Sequence, residues 1–164
     1  MYPIGVWADN KFQQVLADTP AYFKDSKVLK EQLTTTELPS GTMLLTADAM
    51  SMYTKIKNRP ALKQIDKYFN GNKTKYRHLP VNDMPRALSL IMKNKIFRFG
   101  HIHSIQLKGT SMGTPPAPTY AAVFYGVFEL FLLEIFGNNL LLYRRFIDDV
   151  LDLWKRYDEE KNVA

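Results

Sequence analysis

Residues 140–154 read Leu-Leu-Leu-Tyr-Arg-Arg-Phe-Ile-Asp-Asp-Val-Leu-Asp-Leu-Trp. Two β-prone apolar runs flank an Asp-Asp pair, so strand–turn–strand is expected, with Asp148 and Asp149 near the turn. Asp is a favoured turn residue, and the pair has that plain explanation. A second apolar run, Met43–Asp48, also ends on a carboxylate. There Met43, Leu45 and Ala47 share one face; Leu44, Thr46 and Asp48 share the other. Carboxylates at strand ends are costly to desolvate and repel one another when clustered. If the two strands are neighbours in one sheet, Asp48 meets Asp148 across 100 positions of sequence. Two divalent cations would relieve that repulsion. Hard oxygen donors suit Mg²⁺, and two such ions about 4 Å apart clamp an in-line attack at phosphorus.

Outward from these strands the pattern is mixed. Residues 1–20, with Pro3, Gly5 and Pro20, read as irregular. Asp25 is placed to cap a short helix through about Leu33, with Val28 and Leu29 inward. Pro60 opens a helix ending before Gly71, with Ala61, Leu62, Ile65 and Phe69 as its apolar stripe. A further helix follows Asn82 or Asp83, with Leu88, Ile91 and Met92 inward. Ile96–Phe99 and Ile102–Leu107 alternate as a hairpin around Gly100. The Gly/Pro-rich loop Gly109–Pro118 leads into a helix from about Thr119 to Phe136, stopped by Gly137-Asn138-Asn139. Without a βαβ repeat, an α+β domain is expected.

The 164 residues suffice for about one domain. With no cysteine, disulfides, zinc–thiolate sites and thiol catalysis are excluded. The net charge of +6 is uneven: residues 41–120 carry thirteen Lys/Arg against three Asp/Glu, and both flanks are mildly acidic. Such a band suits a polyanion, or is a solvated surface. Ala117–Tyr143 is the most apolar stretch, but Glu129 and Glu134 interrupt it, and the charge-free run from Gly109 contains Pro115, Pro116 and Pro118. No membrane segment is therefore expected. His101 and His103 share a face of the expected strand but lack a third ligand, favouring a structural role.

Three ordered segments sharpen this picture. Residues 46–56, Thr-Ala-Asp-Ala-Met-Ser-Met-Tyr-Thr-Lys-Ile, resemble the first catalytic motif of reverse-transcriptase palm domains. Residues 106–118, Gln-Leu-Lys-Gly-Thr-Ser-Met-Gly-Thr-Pro-Pro-Ala-Pro, are similar to the second. Residues 143–154 resemble the third, an aromatic–X–Asp–Asp hairpin. Gly-Thr-Ser-Met-Gly and Arg-Arg-Phe-Ile-Asp-Asp are nearest in flavour to Penelope-like retroelement reverse transcriptases, and residues 21–28, Ala-Tyr-Phe-Lys-Asp-Ser-Lys-Val, look like that family's upstream segment. The resemblance covers roughly residues 3–155.

It implies an α+β palm, an antiparallel sheet with helices packed on one face, plus part of the fingers and no thumb. Residues 1–41 would lead into the palm, 42–58 carry the first motif, 59–108 form a fingers/palm insertion, and 109–164 hold the nucleotide-side loop, helix and Asp-Asp hairpin. The implied activity is RNA-directed DNA polymerisation onto a primer 3′-hydroxyl. The implied partners are an RNA or DNA template with primer, and deoxynucleoside triphosphates. Asp48 and Asp148 would hold two Mg²⁺ (or Mn²⁺) ions, with Asp149 as the less essential third carboxylate. Tyr53 would be a steric gate against a ribose 2′-hydroxyl; a half-buried core aromatic is the structural alternative. Ala49, Gly109, Met112, Gly113 and Phe146 would line the substrate side. Lys55, Lys57, Arg59, Lys108, Arg144 and Arg145 would contact nucleic-acid backbone. For Arg144 and Arg145 the alternative is a strand with one solvated face.

Phe146 stands where Tyr is commoner, Met112 where related polymerases often have Gln, and Asp152 where the returning strand is normally apolar. Only 47 residues precede Asp48, and about 15 follow Asp149, so the chain reads as a palm-centred fragment with weak or no activity alone. An active retroelement protein would be intracellular and work in the nucleus. Two other readings remain: a non-catalytic nucleic-acid-binding remnant of the same fold, and an unrelated α+β domain with a basic face.

Overall fold

A computed structural model describes residues 2–110 and 112–155. Its elements are α1 (Tyr2–Leu16), α2 (Ser26–Thr35), β1 (Met43–Asp48), α3 (Met52–Lys55), α4 (Asn58–Gly71), α5 (Asp83–Lys93), β2 (Ile96–Phe99), β3 (Ile102–Ile105), α6 (Ala117–Phe136), β4 (Leu140–Phe146) and β5 (Asp149–Trp154). The fold is α+β with antiparallel sheets. The chain divides into two units, one running up to Thr19 and over Ser51–Phe128, the other over Pro20–Met50 and on from Glu129.

The first unit is mainly helical. Residues 1–20 were expected to be irregular, but residues 2–16 form α1. Pro3 falls in the first turn, where a missing N–H costs nothing. Gly5, Ala8, Phe12, Val15 and Leu16 are buried at helical spacing. Gly5 lies close to the Pro115 and Pro116 rings; a Cβ there would stand 3.4 Å from each. Phe12 packs on Phe69 of α4 with ring centroids 5.8 Å apart, and Phe69 meets Tyr76 edge-on at 5.7 Å. The expected stripe of α4 holds for Ala61, Ile65 and Phe69, and α5 buries Leu88, Ile91 and Met92. β2 and β3 pair around Gly100, which has φ +59°. β3 stops at Ile105, and His101 falls in the turn rather than on the strand.

The second unit is built on a three-stranded antiparallel sheet in the order β1-β5-β4. Asp25 caps α2, accepting from the Lys27 and Val28 N–H groups at 3.0 and 3.1 Å. Val28 is exposed and no α2 residue is fully buried, so the inward placing of Val28 is corrected. Tyr22 bridges Arg145 at the outer edge of β4, where the Arg145 N–H donates to Ala21 C=O at 2.8 Å. All six residues of β1 are exposed, and among the described residues its outer edge has no strand partner.

α6 begins at Ala117, so Pro118 lies inside its first turn, where the sequence reading had placed loop. By length and composition alone this helix is long and apolar enough to cross a membrane. Its Tyr120, Ala121 and Val123 are buried in the first unit and its Glu129 in the second, whereas Phe131 and Ile135 are exposed.

Candidate active site

β1 and β5 pair so that Asp48 lies directly opposite Asp149, and β4 places Phe146 opposite Asp149 on the other side. Directly opposed residues in an antiparallel pair have Cα atoms about 4.5–5.5 Å apart and side chains on one face. Asp48, Asp149 and Phe146 therefore form a row across the sheet. The Ala49 N–H donates to Asp148 C=O at 2.9 Å, tying the end of β1 to the β4–β5 turn. Chain segments about 100 residues apart thus meet through both backbone and register. Asp48 and Asp149 are exposed and Asp148 is half-buried.

The turn joining β4 and β5 is strained. Ile147 and Asp148 form a two-residue loop between paired Phe146 and Asp149. Ile147 has φ 56°, whereas Asp148 is not among the positive-φ residues. A first turn residue of positive φ is the II′ arrangement, which favours glycine. A β-branched side chain there is a true outlier, costing about 1–3 kcal/mol.

What holds the turn lies on the opposite face. Arg145, 1% exposed, grips the buried Glu129 carboxylate through Nε to Oε1 and through Nη2 to Oε2, the latter at 3.1 Å. Its Nη1 donates to Ile147 C=O at 2.8 Å. Tyr143 Oη also donates to Glu129, at 3.3 Å. Arg145 was expected to contact phosphate. That expectation is corrected: its guanidinium is committed inside the protein and fastens the turn. Strand alternation explains the difference, since Arg145 shares the covered face with Tyr143 while Arg144 does not. Arg144 donates to Gln32 Oε1 and to the Pro20 and Tyr143 carbonyls, at 2.8, 2.8 and 2.9 Å.

Asp152 belongs to the covered face as well, opposite Tyr143 and Leu45 on the central strand rather than at a sheet edge. It is 7% exposed, and its Oδ1 has no hydrogen-bond partner among the described residues. Burial pushes its carboxyl pKa up.

A cavity of about 750 Å³ opens beside the acid row. Phe23, Asp25, Leu29, Thr46, Asp48, Phe146 and Asp149 are among its walls. The Phe23 and Phe146 rings lie 5.5 Å apart, forming an apolar wall. Asp25 and Phe23 escaped the sequence reading as site residues. Asp25 was legible only as a helix cap, and nothing local to Phe23 signals a partner 123 positions away.

Among the described residues, no group of three or more His, Cys, Asp or Glu side chains gathers closely enough to hold a metal alone. The donor chemistry here is two opposed carboxylates with a third beside them, all hard oxygens. That set fits Mg²⁺, which keeps waters and substrate phosphates and needs only one or two protein carboxylates.

The remaining expected site residues fall in the first unit. Tyr53 is half-buried on α3, and its carbonyl accepts from Thr110 N–H at 2.8 Å. Gly109 has φ +71°, and a Cβ on it would stand 2.6 Å from Tyr53 O and Thr54 Cα. Its lack of a side chain serves packing against α3. A Cβ on Gly113, with φ +90°, would meet nothing within 4 Å among the described residues, and Met112 is 77% exposed. Lys55 is an exposed residue of the last turn of α3.

Lys57, Arg59 and Lys108 line one cleft of about 760 Å³ with Lys63 and Lys93, and among the described residues no acid lines it. Lys93 was not singled out from sequence; only its place in the last turn of α5 beside Lys95 hinted at it. Lys75, by contrast, pairs with Asp18 at 3.3 Å and lies over the Tyr76 ring.

No known family model matches the chain, and no curated protein matches it either.

Proposed function

We propose that this chain is the palm-centred part of a Penelope-like reverse transcriptase, extending a primer on a nucleic-acid template. The observation that carries the reading is the register of Asp48 opposite Asp149, beside a strained Phe-Ile-Asp-Asp turn. Two segments that resemble separate polymerase motifs meet where a shared-ion site requires it. Asp48, Asp148 and Asp149 would hold Mg²⁺. When bound, the ions lower the barrier to attack of a primer 3′-hydroxyl on an α-phosphate.

The chain's own residues do the positioning. Phe146 and Phe23 give the cavity an apolar wall against which a primer-end sugar or base packs. The β4–β5 turn presents Asp148 and Asp149 together, held by Arg145 and Glu129. In the first unit the cleft of Lys57, Arg59, Lys63, Lys93 and Lys108 suits template or primer phosphates, which bind such residues without sequence preference and with strong salt dependence.

Primer extension on an RNA template with Mg²⁺ and deoxynucleotides tests this. Weak extension at most is expected from this chain alone, and Asp48→Ala and Asp148→Ala should each abolish it while leaving nucleic-acid binding intact. A second reading, a non-catalytic nucleic-acid-binding remnant, draws on the cleft of Lys57, Arg59, Lys63, Lys93 and Lys108. It requires salt-sensitive binding with no extension under any divalent metal.

A further inference from the structure

The two edges of the sheet in the second unit are finished differently. At β4 the register shifts between Leu140 and Leu142, and Tyr22 bridges Arg145. Irregularities and covering segments of this kind keep an edge from pairing with another chain. β1 has neither. Its register with β5 is unbroken from Met43 to Asp48, and among the described residues no strand pairs with its outer side. Met43–Ala47 also contains no charged residue and no Pro, the other usual guards of an edge.

One bond fixes which backbone groups face outward. The Ala49 N–H donates to Asp148 C=O at 2.9 Å, and the register carried one step past Asp48 sets these two residues opposite each other. Antiparallel pairs alternate. Met43, Leu45 and Ala47 therefore turn their N–H and C=O groups to β5, while Leu44, Thr46 and Asp48 turn theirs to the outer side. The Asp48 C=O already accepts from the Met50 N–H at 3.0 Å. Leu44 and Thr46 present theirs to the open edge. Met43, Leu44 and Leu45 are 49%, 65% and 53% exposed, so apolar surface lies on both faces of this edge. A strand that covers it must bring uncharged residues to both faces over about five positions. Met43–Ala47 itself meets those terms.

We propose that β1 pairs antiparallel with β1 of a second copy of this chain, about a two-fold axis at Leu45. Two three-stranded sheets then join into one of six strands. Leu45 opposes its own copy, Met43 opposes Ala47, and Leu44 and Thr46 exchange both backbone bonds in each direction. An axis at Thr46 would instead call on the Asp48 carbonyl that Met50 occupies. With the axis at Leu45, the lone charge of the strand falls beside neutral Thr42, so no like charges meet. The inference uses only the backbone and the Met43–Ala47 side chains, and it does not rest on the polymerase reading.

Sedimentation of the full chain up to about 1 mM tests the association, and a monomer–dimer equilibrium is expected. Leu45→Lys sets two ammonium groups face to face and should weaken dimerisation at least about tenfold. The register is tested by single cysteines, since the chain has none of its own. Leu45→Cys should link two copies on mild oxidation, because residues opposed at a non-hydrogen-bonded position have Cα atoms about 4.5 Å apart, within disulfide reach. Leu44→Cys alone should not, because its copy lies on the diagonal at about 7–8 Å. Leu44→Cys mixed with Thr46→Cys should link the two variants to each other. In amide exchange, Leu44 and Thr46 should gain protection as concentration rises, while Leu45 and Ala47 are protected throughout. The proposal is overturned by a chain that stays monomeric, by a dimer that Leu45→Lys leaves unchanged, or by cross-links in another register. Protection of Leu44 and Thr46 in the dilute monomer would also overturn it, by showing that the chain covers this edge itself. The cysteine pattern decides the matter even if Leu45→Lys unfolds.

Discussion

Glu129→Gln removes one charge from the pair that fastens the β4–β5 turn and leaves its shape intact. The side chains of Arg145 and Glu129 are 2% and 8% exposed, and the contact is bidentate. Removing one partner strands a guanidinium in a site that water barely reaches. Breaking a buried pair in this way costs about 3–5 kcal/mol. For a chain of this size about 1 kcal/mol moves the melting temperature by about 2–4 °C, so a fall of about 6–20 °C is expected. The double variant Glu129→Leu with Arg145→Met behaves differently. It removes both charges and their desolvation, and it forfeits the bonds from Arg145 to Ile147 C=O and from Tyr143 Oη to Glu129, worth about 1 kcal/mol each. Its stability should return close to that of the unaltered chain. The turn, however, loses its tether, so primer extension should stay low in the double variant. Thermal and urea melts of the unaltered chain, Glu129→Leu, Arg145→Met and the double variant give the coupling energy directly. A single-variant cost below about 1 kcal/mol, or a double variant as unstable as the two singles combined, would refute the reasoning.

Three further outcomes follow from the same geometry. Asp152→Asn should remove a pH dependence: the folded pKa is raised, so the native state binds its proton more tightly than the unfolded chain. Stability then falls as pH rises from near the ordinary value of 3.8 through the raised one. Tyr143, Glu129 and Arg145 share its face of the sheet, and melts from pH 3 to 8 of both proteins should converge at the acid end and separate near neutrality; parallel curves would contradict the assignment. Gly109→Ala should cost about 2 kcal/mol or more, since its Cβ would meet α3 backbone at 2.6 Å with φ at +71°. Gly113→Ala, facing open space at φ +90°, should cost only about 1 kcal/mol, and equal losses in denaturant melts would count against this distinction. Ile147→Gly should stabilise the chain by about 1 kcal/mol by relieving the turn, while lowering extension if the strain positions Asp148; a loss of stability would show the turn to be unstrained.

Much of the secondary structure was legible locally. β1, β4 and β5 follow period-two runs bounded by turn residues, and α4 and α5 follow their apolar stripes. α1 was missed because Pro3, Gly5 and Pro20 were weighed as breakers, although Pro3 sits in a first turn and Gly5 packs against prolines 110 or more positions away. Val28 was misplaced for the opposite reason: amphipathic spacing marks a face without showing that anything covers it.

By itself the sequence determined where strands end and which acids stand at those ends, because turn chemistry and side-chain alternation act within a few residues. It also determined that the central stretch is basic. Only the tertiary structure decided that Asp48 meets Asp149 in register and that Arg145 turns inward to Glu129 while Arg144 does not. Those outcomes depend on which distant segments pair and which face of a strand is covered, and a pattern of period two is the same whichever face that is.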